Sequence, residues 1–226
     1  MSRGRRISRV KFITPSPEIA NKYLLEWENQ ELYYHSENFP PISKESFFNQ
    51  PGLLELEIGC GTGEFLNAKA QANPSTTYVG MDISRRAIYY AVHQADKLAL
   101  KNILYIKTDV KLTYPLFAPD TLYTIYLNFP DPNYGSSNLK HRIFSQRFLD
   151  AAFTGLVEKG KIIVVTDQHP FLLDMLEIAD TDSRFKKSHE EPYLTTFAPI
   201  EKTRYQKAWE RFKRPVFRFE LMKSPQ

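Results

Sequence analysis

The chain has 226 residues, 42% of them hydrophobic and 25% charged, an ordinary balance for one large α/β domain or two small ones. No run of about 18 apolar residues offers a membrane span, and the basic start "MSRGRRISRVKF" leads into no apolar secretory segment. Cys60 is the only cysteine, which excludes an intramolecular disulfide and fits a reducing cytoplasm. The net charge of +4 is uneven: residues 1–12 and 200–226 each carry a net +5, leaving −6 for the body. Such ends fit a polyanion held at the margins, or two solvated termini.

Residues 1–50 are mixed and punctuated by proline ("ITPSP", "FPPIS"), and read as a basic arm and lead-in helix ahead of a domain over 51–226. In that domain strands and helices alternate. "LLELEIG" predicts a strand ending in glycines, and "GEFLNAKAQA" a helix. "TTYVGMDI" is a strand and "SRRAIYYAVHQADKLAL" a helix. "NILYIKTDV" and "TLYTIYLNF" are strands. "RIFSQRFLDAAFTGLV" is a helix closed by the turn "EKGK", "KIIVVTD" a strand, and "PFLLDMLEIAD" a helix opening with Pro170. The segment from Val216 to Leu221 alternates as a final strand. This order predicts an α/β fold with a largely parallel, doubly wound sheet. Ligands of such sheets bind beyond the carboxyl ends of the strands.

The informative residues fall at those ends. "ELEIGCGTGEF" carries Glu57, Gly59, Gly61 and Gly63 between the first strand and helix of the alternation. Its G-x-G-x-G spacing is neither the dinucleotide fingerprint nor the Walker loop. Asp82 and Asp109 end the next two strands. A carboxylate there can accept from ribose hydroxyls or from an adenine amine; it can also serve as a helix cap or turn former. The loop holds no cation for a pyrophosphate, and Glu57 would repel one. A nucleoside with a cationic portion fits better, which points to S-adenosylmethionine. The arrangement resembles the class I methyltransferases over roughly residues 50–180.

"LNFPDP" ends the fourth strand of the alternation, where prolines bar its continuation. Taken alone, Asp131 is equally a turn acid between prolines. With "LEIGCGTGEFL", "FLDAAFTGLVEKGKIIVVTDQHPF" and "TRYQ", however, the turn resembles the tRNA (guanine-N7-)-methyltransferase family over about residues 50–222. The resemblance implies a Rossmann-like sheet with an antiparallel C-terminal strand, S-adenosylmethionine as cofactor, and methyl transfer to guanine N7 in the variable loop of tRNA. It implies Asp131 as the catalytic residue, a fixed carboxylate that stabilises the charge developing on the purine. Glu57, Gly59, Gly61, Gly63, Asp82, Asp109 and Asn128 are expected at the cofactor. Asp167, Thr203, Gln206, Lys140 and Arg142 are expected at the substrate.

The chain departs from the family on the RNA side. Asn133 stands where Trp is expected, Gly135, Ser136 and Ser137 stand at usually basic positions, and Gln206 replaces Glu. The residues by themselves leave open a different acceptor, such as a small molecule or a protein amide, or a non-catalytic RNA-binding relative. One cysteine and scattered histidines give no metal-ligand spacing. A cytoplasmic monomer or homodimer with no obligate protein partner is expected.

Overall fold

The computed structural model describes residues 10–134, 139–195 and 202–225. Among these, one sheet contains β1 (Leu24–Glu26), β2 (Leu54–Ile58), β3 (Thr77–Asp82), β4 (Ile103–Lys107), β5 (Leu122–Asn128), β6 (Leu156–Thr166), β7 (Phe185–Lys187) and β8 (Phe217–Lys223). Their order is β1-β4-β3-β2-β5-β6-β8-β7. β8 runs antiparallel to β6 and β7, and the other pairings are parallel. β2 and β3 are buried at every residue, because central parallel strands are covered on both faces. β8 alternates between buried and half-buried residues, as the sequence pattern predicts.

The helices are α1 (Pro17–Tyr23), α2 (Asn29–Tyr34), α3 (Lys44–Phe48), α4 (Glu64–Ala72), α5 (Arg85–Lys97), α6 (Gln146–Gly155), α7 (His169–Asp180) and α8 (Arg204–Arg211). Side-chain alternation along the strands divides the core between two faces. Tyr78, Ile103 and Tyr105 cluster with Leu66 of α4 and with Ile88 and Val92 of α5. Val79, Met81, Leu104 and Ile106 belong instead with Phe148 of α6 and Phe171 of α7. The chain steps from β2 through β3 to β4 towards one edge, then from β5 to β6 towards the other. The direction switches between β2 and β5, where a ligand crevice opens in sheets of this kind.

Three local features differ from the sequence expectation. The helix expected from Arg142 starts at Gln146, because Ser145 caps it by accepting the Phe148 N–H at 3.3 Å. The "EKGK" turn lies inside β6: Leu122 pairs with Leu156 and Thr124 with Lys161, so the residues between bulge out of register. Lys159 carries the turn-like backbone, with φ of 63°. The lead-in segment supplies β1, which pairs parallel with β4; a strand of three residues is too short to show a period. No helix among the described residues is long and apolar enough to cross a membrane.

Candidate active site

The glycine loop folds onto the end of β3. Gly59 and Cys60 both donate their N–H groups to the Met81 carbonyl, at 2.8 and 3.0 Å. Gly61 donates to Asp82 Oδ2 at 2.9 Å. Gly63 begins α4 with φ of 75°, and a Cβ there would meet Ala91 Cβ and the Tyr105 hydroxyl, both at 2.6 Å. Glycine is therefore required at that position for backbone conformation and for space. The Tyr105 hydroxyl donates to Asn67 Oδ1 at 2.9 Å, and burial holds it protonated far above its ordinary pKa.

Asp82 and Asp109 both make turn bonds and both line a cleft. Asp82 Oδ1 accepts the Ser84 N–H at 2.8 Å, and Ser84 in turn caps α5. Asp109 Oδ1 accepts the Lys111 N–H at 3.1 Å, while the Asp109 N–H donates to Asn29 Oδ1 at 3.3 Å. A carboxylate has about four acceptor sites, so turn bonds do not exhaust it. Both side chains also line a cleft of about 490 Å³, together with Gly59 and Asp131.

The cleft wall suits a nucleoside bearing positive charge. Three carboxylates line it against Lys111 and His141. Ile83 is 60% exposed beside Asp82 and offers an apolar face to a planar base. Thr108 also lines the cleft, and its hydroxyl is buried with no hydrogen-bond partner among the described residues. A buried hydroxyl without a bond is costly, so this one is suited to a ligand atom. These features fit S-adenosylmethionine. Sequence reading missed Ile83 and Thr108, whose only signal is their position next to Asp82 and Asp109.

Glu57 and Asn128 come together across the switch point. The Asn128 amide donates to Glu57 Oε1 at 2.9 Å, joining the ends of β2 and β5, and both side chains are buried. Immediately beyond, Phe129 takes φ of 53° and donates its N–H to the Val165 carbonyl at 2.6 Å. This left-handed step takes the chain out of the strand, and Pro130 and Pro132 hold it out. Asp131 is thereby presented at the cleft. Its carboxylate is exposed and makes no hydrogen bond or ion pair to another described residue.

A family model described as "Putative methyltransferase" matches residues 51–219. Over 219 residues the chain is 39% identical to the tRNA (guanine-N(7)-)-methyltransferase of Rubrobacter xylanophilus, covering 97% of this chain and 98% of that protein. It is 36% identical over 222 residues to the protein of that name from Chloroherpeton thalassium, covering 98% of each. The chain belongs to the tRNA (guanine-N(7)-)-methyltransferase family. A solved structure of an antibiotic-related methyltransferase shares the fold, with a TM-score of 0.58 over 80% of this chain and 95% of that chain at 16% identity.

In this methyltransferase a second group of expected residues gathers beyond β6. The Asp167 carboxylate accepts from the Trp209 indole N–H, and from Gln168 Nε2 at 3.0 Å. Trp209 packs in a small cluster with Phe129, Val165 and Val216, so α8 rests against the base of the Asp131 turn. Thr203 caps α8 by accepting the Gln206 N–H at 2.9 Å, and the buried Gln206 side chain donates to Glu210 Oε1 at 3.3 Å. "TRYQ" therefore carries the pattern of a capping box, and its observed bonds set the helix that brings Trp209 to Asp167. Sequence reading missed Trp209 because α8 itself was not anticipated.

Lys140 is exposed on the short turn Leu139–His141. Arg142, expected beside it on the substrate side, is turned inward, with its guanidinium bonded to Pro132 and Asp174. Gly135, Ser136 and Ser137, and the arm residues Arg3, Arg5, Arg6 and Arg9, lie outside the described residues. No group of three or more His, Cys, Asp or Glu able to hold a metal ion occurs among the described residues.

Proposed function

We propose that this methyltransferase transfers a methyl group from S-adenosylmethionine to N7 of a guanine in the variable loop of tRNA. It acts in the cytoplasm, as a monomer or homodimer, without an obligate protein partner. The observation that carries this reading is the uncommitted carboxylate of Asp131, held by a stiff turn at the cleft of a chain with near-full-length relatives of that name.

Asp82 and Asp109 are suited to accept from the ribose hydroxyls and the adenine amine, with Thr108 as a further hydrogen-bonding group. The glycine loop lets the ligand approach the backbone, and the Glu57–Asn128 pair holds the two strands beneath the transfer point. Bound S-adenosylmethionine supplies an electrophilic methyl group. Guanine N7 presents a lone pair and no proton, so the protein has no proton to remove. Its work is to align N7 and exclude water. The purine becomes cationic as the bond forms, and Asp131 stabilises that charge. Asp167, Lys140 and Thr203 at the start of α8 face the tRNA side, while the buried Gln206 supports that start from within.

The test is a tRNA transcript carrying 7-deazaguanosine in place of guanosine. It keeps the Watson–Crick pairing and charge of the RNA and lacks the acceptor atom. Loss of methyl incorporation with tRNA binding retained is expected; undiminished incorporation would assign another acceptor.

A further inference from the structure

The Asp131 side chain is bonded to no other described residue, so its placement depends on its backbone. That backbone is pinned on both sides. Before it, the Phe129 N–H is fixed to the Val165 carbonyl at 2.6 Å. After it, the Pro132 carbonyl accepts from Arg142 Nε at 2.7 Å. Two prolines leave the turn short of N–H donors, so anchoring through a carbonyl is the natural route.

Arg142 reaches that carbonyl from a rigid seat. Its Nη1 donates to Asp174 Oδ2 of α7 at 2.8 Å, and the guanidinium lies over the Phe171 ring at 4.7 Å from the centroid. Phe171 is 1% exposed and the Arg142 side chain 12% exposed. A planar fork can meet two acceptors in fixed directions while stacking on a ring, which an ammonium cannot do.

We propose that Arg142 is a positioning residue, a clamp that ties the Pro-Asp-Pro turn to α7 and sets Asp131 at the cleft. This rests on the reading of Asp131 given above. An RNA phosphate contact would need donors directed at solvent, whereas these meet Pro132 and Asp174.

The experiment uses the full-length protein, an unmodified tRNA transcript and S-adenosylmethionine, with R142A, R142K, D174A and D131A. Three quantities are measured: the single-turnover methylation rate, the cofactor affinity, and the tRNA affinity across a salt series. R142A and R142K are expected to slow methylation on the order of 100-fold, the scale of a misplaced group. Cofactor affinity and the salt slope of tRNA binding stay unchanged. D174A slows methylation less, with the same pattern, and decides the question if R142A does not fold. The clamp is overturned if methylation stays intact while the salt slope becomes shallower by about one unit, the mark of a lost phosphate contact. Full rescue by R142K overturns it too. An active D131A removes both the reading of Asp131 and the clamp. An inactive D131A beside fully active R142A and D174A removes the clamp alone.

Discussion

Trp209 donates its indole N–H to the Asp167 carboxylate, joining α8 to the end of β6 across 42 positions of sequence. The bond orients an acid expected on the substrate side, and the same ring packs against Phe129 at the base of the Asp131 turn. Trp209→Phe keeps much of the packing and removes the donor. Hydrogen bonds to charged groups contribute roughly 1.5–3 kcal/mol, so kcat/KM for tRNA should fall about tenfold or more with cofactor affinity unchanged. Steady-state kinetics and calorimetry check this; unchanged kcat/KM would leave Trp209 as packing only.

Asp131→Ala should leave S-adenosylmethionine affinity within a few-fold and remove most turnover, because the carboxylate acts on the charge that develops on the purine. Loss of an electrostatic stabiliser typically costs on the order of 100- to 1000-fold. Asp131→Asn, which keeps shape without charge, should be nearly as slow. Near-wild-type turnover in either variant would remove Asp131 from the mechanism.

Much of this site was legible because it is built from strand ends. Glycines after β2, and acids after β3 and β4, mark a crevice in any doubly wound sheet, and the prolines around Asp131 mark where β5 must stop. Asp82 and Asp109 are ambiguous between cap and ligand acid because one carboxylate can do both; each takes turn or loop N–H groups and also lines the cleft. The less legible parts depend on tertiary contacts. Arg142 reads as a surface cation until Phe171 and Asp174, about thirty residues later, are seen beneath it. α8 carries its own start signal in Thr203 and Gln206, but its role is set by Trp209 reaching β6. β1 has three residues, and its place in the sheet comes from pairing with β4 rather than from any pattern of its own.

Acid should destabilise the fold through Asp182. This buried carboxylate accepts from Arg184 Nε at 2.9 Å and Nη2 at 2.7 Å, and from Gln146 Nε2 at 2.9 Å, linking α6 to the segment before β7. The Arg184 hydrogen bonds lower its pKa from 3.8 to about 2. A carboxyl depressed in the folded state stabilises the fold above its ordinary pKa, and that contribution is lost as pH falls towards the folded value. Thermal melts should show a falling Tm between about pH 4 and pH 2 in the wild type. Asp182→Asn should start lower and fall less over that window; equal slopes would assign the acid loss to other groups.

The basic arm leads out of a defined anchor. Arg86 Nη1 donates to the Val10 carbonyl at 3.1 Å, and Phe12 stacks on Tyr89 of α5 at 5.5 Å between centroids. Val10 and Phe12 are therefore tied to side chains of α5. Deleting residues 1–9 removes Arg3, Arg5, Arg6 and Arg9 and spares the anchor. tRNA affinity should fall and its salt dependence become shallower, since each lost phosphate contact releases fewer counterions. S-adenosylmethionine affinity should not change. Unchanged tRNA affinity would make the arm a tail.

The most direct measurement is methyl transfer from labelled S-adenosylmethionine to an unmodified tRNA transcript, followed by borohydride–aniline cleavage, which cuts the RNA at N7-methylguanosine. Incorporation and one cut, in the variable loop, are expected, both abolished by Asp131→Ala. Incorporation without a cut, a cut elsewhere in the tRNA, or no incorporation by protein that binds the cofactor would contradict the proposed function.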